Sequence, residues 1–134
     1  MAKKLKALIV EDSASSQIML QSILSVHAQC DGALDGVSAI GKFRDAVLTD
    51  QPYDFICMDI TMPKMDGKTA LSIMREIERQ KGKGETPVIM ITSAGSTLNR
   101  IETMHELRAT SFLTKPITPE ALIAELGRLN LLPR

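Results

Sequence analysis

Tryptophan is absent from the 134 residues, and one tyrosine and three phenylalanines are the only other large rings. Charge of one sign is absent too: 16 basic residues balance 16 acidic ones. A neutral chain has no field to gather nucleic acid or an anionic membrane by bulk electrostatics. There are only two cysteines, Cys30 and Cys57. They lack metal-ligand spacing and lie in apolar surroundings, so they read as reduced core thiols and the chain as cytoplasmic. No apolar run approaches the roughly 20 residues that span a bilayer, which excludes membrane insertion by a helix. Lys3, Lys4 and Lys6 lead straight into a short strand-like run, too short for a signal peptide. Internal repeats and low-complexity segments are also missing.

What is present is alternation. Short apolar runs at Leu5–Val10, 55–58 and 88–91, with weaker ones at 29–34 and 111–113, read as strands. Between them lie helical patterns. Met19, Ile23 and Val26 share one face; so do Ile40, Phe43 and Val47; Ala70, Met74 and Ile77; and Leu122, Leu126 and Leu129. The stretch 98–107 is the least amphipathic of the helical segments. Ser13, Gly67 and Thr118 stand near helix starts, Thr118 followed by Pro119. The connection 81–85 is polar and reads as surface. At 134 residues the chain, 1–134, fits one domain. Five strands alternating with helices predict α/β architecture, an open doubly wound parallel sheet covered on both faces.

Such sheets bind ligands outside the carboxyl ends of their strands, so the residues just past each run carry the chemistry. These are Glu11 and Asp12 after the first run, Asp59 after the third, Thr92 and Ser93 after the fourth, and Lys115-Pro116 after the fifth. With strand order 2-1-3-4-5, the first and third strands are neighbours about 5 Å apart. Glu11, Asp12 and Asp59 then converge. Three carboxylates repel unless a cation sits among them, and an all-oxygen set without histidine or cysteine suits Mg²⁺ rather than zinc. The plainer reading makes Glu11 and Asp12 simple helix-start acids; it leaves the hydroxyl and lysine at the matching strand ends unexplained.

Gly67-Lys68-Thr69 imitates the tail of a phosphate-binding loop. Counting back, however, Met62 stands where the first glycine belongs, and Pro63 removes a backbone donor. The haloacid-dehalogenase pattern, which also uses a strand-end aspartate as nucleophile, wants a second acid where Thr61 stands. Without that acid/base, rapid turnover is not expected.

Over essentially its whole length the chain resembles the receiver domains of bacterial two-component response regulators. The matching residues are Glu11-Asp12, Met58-Asp59, Met62-Pro63 with Met65-Asp66-Gly67, Thr92, Phe112 and Lys115-Pro116. The resemblance implies a flavodoxin-like five-stranded parallel sheet, order 2-1-3-4-5, with five helices. It implies that Asp59 takes a phosphoryl group from a histidine kinase or phosphotransfer protein. Glu11, Asp12, Asp59 and the main-chain carbonyl of Thr61 would surround Mg²⁺, or Mn²⁺ in its place. Lys115 would pair with the phosphoryl oxygens, Thr92 would move to hydrogen-bond them, and Phe112 would turn inward in response.

Three features depart from the family pattern. Ser93 replaces a small apolar residue, Arg108 stands where glycine is common, and the 81–86 connection is polar and slightly long. His27 and His105 lie away from strand ends and read as surface residues. The sequence is therefore expected to be a stand-alone receiver without an output domain, a phospho-acceptor in a signalling relay rather than a turnover enzyme. Its output would be a downstream target protein bound through 98–107, the fifth strand and 118–130, with no direct nucleic-acid contact. The competing readings are a phosphohydrolase using Asp59 and a pseudo-receiver adaptor.

Overall fold

The computed structural model describes residues 4–62, 65–93 and 108–132. Five strands, β1 (Leu5–Val10), β2 (Ala28–Ala33), β3 (Phe55–Asp59), β4 (Val88–Thr92) and β5 (Ser111–Thr114), form one parallel sheet in the order β2-β1-β3-β4-β5. Four helices are described: α1 (Ala14–Leu24), α2 (Gly36–Leu48), α3 (Gly67–Gln80) and α4 (Pro119–Arg128). The architecture and strand order agree with the expected flavodoxin-like sheet. Of the five helices expected, the one over 98–107, with His105, lies outside the described residues.

The alternation of side chains along each strand explains the two cores. Ala7 and Ile9 of β1, Phe55 and Cys57 of β3, and Ile89 and Ile91 of β4 pack with Leu20, Leu24, Leu122 and Leu126. Leu8 and Val10, Ile56 and Met58, and Val88 and Met90 face the opposite way, against Phe43, Val47, Ala70 and Met74. Strands buried on both faces must be apolar throughout, which is why the three central strands were the clearest runs in the sequence. The edge strands β2 and β5 are only partly buried.

Helix α1 corrects the sequence reading. Of the expected face of Met19, Ile23 and Val26, only Ile23 packs against the core, and that partly; Met19 is 41% exposed and Val26 74%, while Gln17, Leu20 and Leu24 are buried. The segment 13–26 contains no charged residue, so apolar side chains lie on every side of the helix and periodicity cannot choose among them. The register is chosen instead by the Ser13 cap, whose hydroxyl accepts from the Ser16 amide, and by the buried Gln17. Val26 lies beyond the helix end. The other three helices bury the expected stripes. Asp35, Asp66 and Thr118 cap α2, α3 and α4 in the same manner, each accepting from the amide three residues on.

At the end of the sheet opposite the acids, Arg75 and Glu78 of α3 are buried as an ion pair at 2.9 Å. Arg75 Nη2 also donates to the Arg108 carbonyl at 2.7 Å, and Glu78 Oε2 accepts from the Thr86 amide at 2.7 Å. Arg108 has φ 57°, the left-handed conformation that favours glycine, and its guanidinium pairs with Glu85 at 2.6 Å. Residues 81–85 are exposed as expected, with Lys83 paired to Asp50 at 2.8 Å. Among the described residues no helix is long and apolar enough to cross a membrane.

Candidate functional site

Asp59 is the last residue of β3, and β1 runs beside it with Val10 opposite Met58. The next residue of the β1 chain, Glu11, therefore arrives next to Asp59 with Asp12 following. Carboxylate oxygens of Glu11, Asp12 and Asp59 all lie within 4.8 Å of one another. Glu11 and Asp59 are buried, and Asp12 is exposed at the mouth. Glu11 Oε1 accepts from the Ser13 amide at 3.2 Å, whereas Oε2 is buried without a hydrogen-bond partner. An all-oxygen set with one buried carboxylate oxygen that makes no hydrogen bond, and has only the Lys115 ammonium at 3.4 Å as a charge partner, fits a hard divalent cation.

Lys115, just past β5, supplies positive charge. Its Nζ donates to Asp59 Oδ2 at 2.8 Å and lies 3.4 Å from Glu11 Oε2. Its main-chain amide donates to the carbonyl of Thr92, the last residue of β4, at 2.8 Å. That bond ties the lysine to the strand end where Thr92 is buried. The Lys115-Pro116 peptide bond is cis. Thr61, exposed two residues past the strand, turns back so that its amide donates to Asp59 Oδ1 at 3.0 Å. Each Asp59 oxygen thus has its own donor. Phe112 on β5 is opposite Met90, half-buried against the core shared by α2 and α3. Ser93 is exposed.

Burial pushes the Glu11 carboxyl up to about 7, and the neighbouring Asp59 carboxylate adds to the rise against the lowering effects of the Ser13 amide and Lys115. Partial burial disfavours the charged form of Lys115, but Asp59 and Glu11 together outweigh it and hold the ammonium above its ordinary value. An apolar cleft of about 420 Å³ between α1 and the β5–α4 turn opens beside Glu11 and Lys115.

Two residues support the site: Gly67, which the sequence marks as a helix start, and Gln17, which it does not single out. Gly67 begins α3 and donates its amide to Ile60 at 2.8 Å. A Cβ there would fall on the Asp59 carbonyl oxygen and lie 2.9 Å from the Ile60 Cα, so glycine lets the helix start directly behind the acceptor strand. Gly67-Lys68-Thr69 therefore serves helix packing, in keeping with the rejected phosphate-loop reading. Gln17 is the second, a polar residue buried beneath the acid pair. A glycine at a helix start and a glutamine among apolar residues were the available signals.

Comparison with known proteins agrees with this geometry. The family described as the response regulator receiver domain matches residues 7–127. The chain is 34% identical over 124 residues to the probable transcriptional regulator ycf27 of Guillardia theta, covering 92% of this chain and 44% of that protein. It is 32% identical over 120 residues to Histidine protein kinase 1 of Candida albicans, covering 88% of this chain and 5% of that one. The chain thus spans less than half the length of these relatives. Among solved structures, the CheX–CheY complex with BeF3 and Mg²⁺ from Borrelia burgdorferi superposes with TM-score 0.81 at 28% identity, covering 96% of this chain and 90% of that one. Strand order, the grouping of the acids at the sheet's carboxyl end and a family match over most of the length agree, and the chain is a member of the response regulator receiver domain family of two-component signalling.

Proposed function

We propose that Asp59 accepts a phosphoryl group from a phosphohistidine on a histidine kinase or phosphotransfer protein, and that the modified domain switches its affinity for a downstream protein. The observation that carries this is the arrangement around Asp59: Lys115 Nζ at 2.8 Å and the oxygens of Glu11 and Asp12 gathered within 4.8 Å. A carboxylate oxygen of Asp59 forms the bond to phosphorus as the donor's N–P bond breaks, and the departing imidazole takes up a proton. Transfer through a loose transition state needs positioning and charge neutralisation above all. Lys115 and the Thr61 amide hold the acceptor carboxylate in place; Glu11, Asp12, Asp59 and the Thr61 carbonyl would hold Mg²⁺ or Mn²⁺. Held there, such an ion would supply charge neutralisation for the transferring phosphoryl oxygens. The Borrelia burgdorferi complex, which contains Mg²⁺ and BeF3, supports the choice of metal. Thr92 and Lys115 answer the new charge with hydrogen bonds, and Phe112 passes the change to a face on β5 and α4. Two free thiols accord with a cytoplasmic setting. Thr61, where a hydrolase of the rival type needs an acid, argues against rapid turnover.

Acetyl phosphate with Mg²⁺ should place a single base-labile phosphoryl group on Asp59, as read by peptide mapping. Label on histidine or serine, or label persisting in Asp59→Asn, would refute the assignment.

A further inference from the structure

Gln17 stands behind the acid pair. It lies in the first turn of α1 and is 7% exposed. Its amide nitrogen faces three main-chain carbonyls, those of Ile9 and Ala33 at 3.1 Å each and that of Glu11 at 3.4 Å. An oxygen in that place would oppose three acceptors, so the surroundings dictate which end of the amide points inward. The Gln17 oxygen accepts from Gln21 Nε2 at 3.0 Å, one helical turn on.

Gly32 on β2 makes room for this pair. A Cβ at that position would lie 2.7 Å from Gln21 Nε2 and 3.0 Å from Gln17 Cδ and Oε1. Both main-chain groups of Glu11 are thereby held. Its amide donates to the Ala33 carbonyl at 3.0 Å, and the same Ala33 oxygen and the Glu11 carbonyl are bridged by the Gln17 amide. The chain leaves β1 at this point, with no further strand pairing to fix where Glu11 and Asp12 go.

We propose that Gln17 is a positioning residue for the cation site, pinning the main chain at Glu11 so that the Glu11 and Asp12 carboxylates meet Asp59. The inference rests on the reading of those three acids as the metal ligands. It assigns to Gln17 the outer-shell part that hydrogen-bonded groups behind metal ligands play elsewhere. Being neutral, the amide does this without adding positive charge behind a site that must attract a divalent cation.

The test is a Mg²⁺ titration of the full chain without phosphodonor, followed by the amide resonances of residues 11–13 or by calorimetry. Gln17→Met keeps the length and removes the donor; Gly32→Ala leaves Gln17 in place but crowds its amide from another strand. Mg²⁺ Kd should weaken on the order of tenfold in Gln17→Met, and in the same direction in Gly32→Ala. Labelling of Asp59 by acetyl phosphate should return to within about twofold of wild type once Mg²⁺ is saturating, because the loss lies in metal affinity and not in the acceptor. A Gln17→Met protein that melts earlier yet binds Mg²⁺ as wild type does would overturn the proposal, leaving Gln17 as packing for α1. If Gln17→Met does not fold, Gly32→Ala decides, and an unchanged Kd there overturns it equally. Absence of Mg²⁺ binding to the wild type would instead remove the metal reading itself, and this inference with it.

Discussion

Glu11 is held in a place where its charge is unwelcome: buried, 1% exposed, and facing the Asp59 carboxylate. Its carboxyl rises from 4.5 to about 7 in the folded chain. The folded pKa lies above the unfolded one, so the folded state binds the proton more tightly. Glu11's stabilising contribution is complete below about 4.5 and is lost as pH rises through about 7. Metal-free protein should therefore melt several degrees lower at pH 8 than at pH 6, and Glu11→Gln, neutral at every pH, should flatten that difference. The same proton competes with a cation, so Mg²⁺ should bind more weakly at pH 6 than at pH 8. Thermal melts of both proteins across this range check the first expectation; a slope that survives in Glu11→Gln would assign it to other groups. At this scale the site was largely legible from sequence. Acids, hydroxyl and lysine are short polar interruptions at the ends of apolar runs, and parallel topology brings such ends together whatever the loops do.

Elements, by contrast, are placed by residues whose function hydrophobic patterning cannot see. The central strands and the faces of α2, α3 and α4 were readable because burial there is decided by apolar area. α1 was not, because its sequence is uncharged all round and a buried glutamine sets its register. Gly67 brings α3 against the end of β3. Gly67→Ala should push the two apart, lowering stability by about 2 kcal/mol and slowing Asp59 phosphorylation, as urea melts and acetyl phosphate labelling would show. Unchanged labelling would mean that the close approach does not matter to the acceptor. Arg75 and Glu78 form the other feature hidden from patterning, since two charged residues on a helix normally read as its solvent face. Arg75→Met strands the Glu78 carboxylate in the interior and leaves the Arg108 carbonyl without its guanidinium donor, which should cost about 3 kcal/mol. Adding Glu78→Met should then cost less than the two single changes summed. Strict additivity in urea melts would show that the pair is not coupled.

Across the whole molecule, two hydrogen bonds from one residue join the acceptor to the far edge of the sheet. Lys115, just past β5, binds Asp59 through its side chain and Thr92 through its amide, and Phe112 of β5 lies three residues before it in the chain. A phosphoryl group on Asp59 would compete for the Lys115 ammonium, so β4 and β5 are the elements mechanically closest to the change. Helix α2, packed on the other side of the sheet from α1 and α4, has no such tether to Asp59 among the described contacts. The most direct test of this account is backbone NMR of the ¹⁵N-labelled chain on adding beryllofluoride with Mg²⁺. Resonances should shift only when both are present, centred on Asp59 and spreading through Thr92 and Lys115 to Phe112 and α4, with Asp59→Asn silent. Shifts confined to the acid pocket, running instead into α2, or persisting in Asp59→Asn would contradict it.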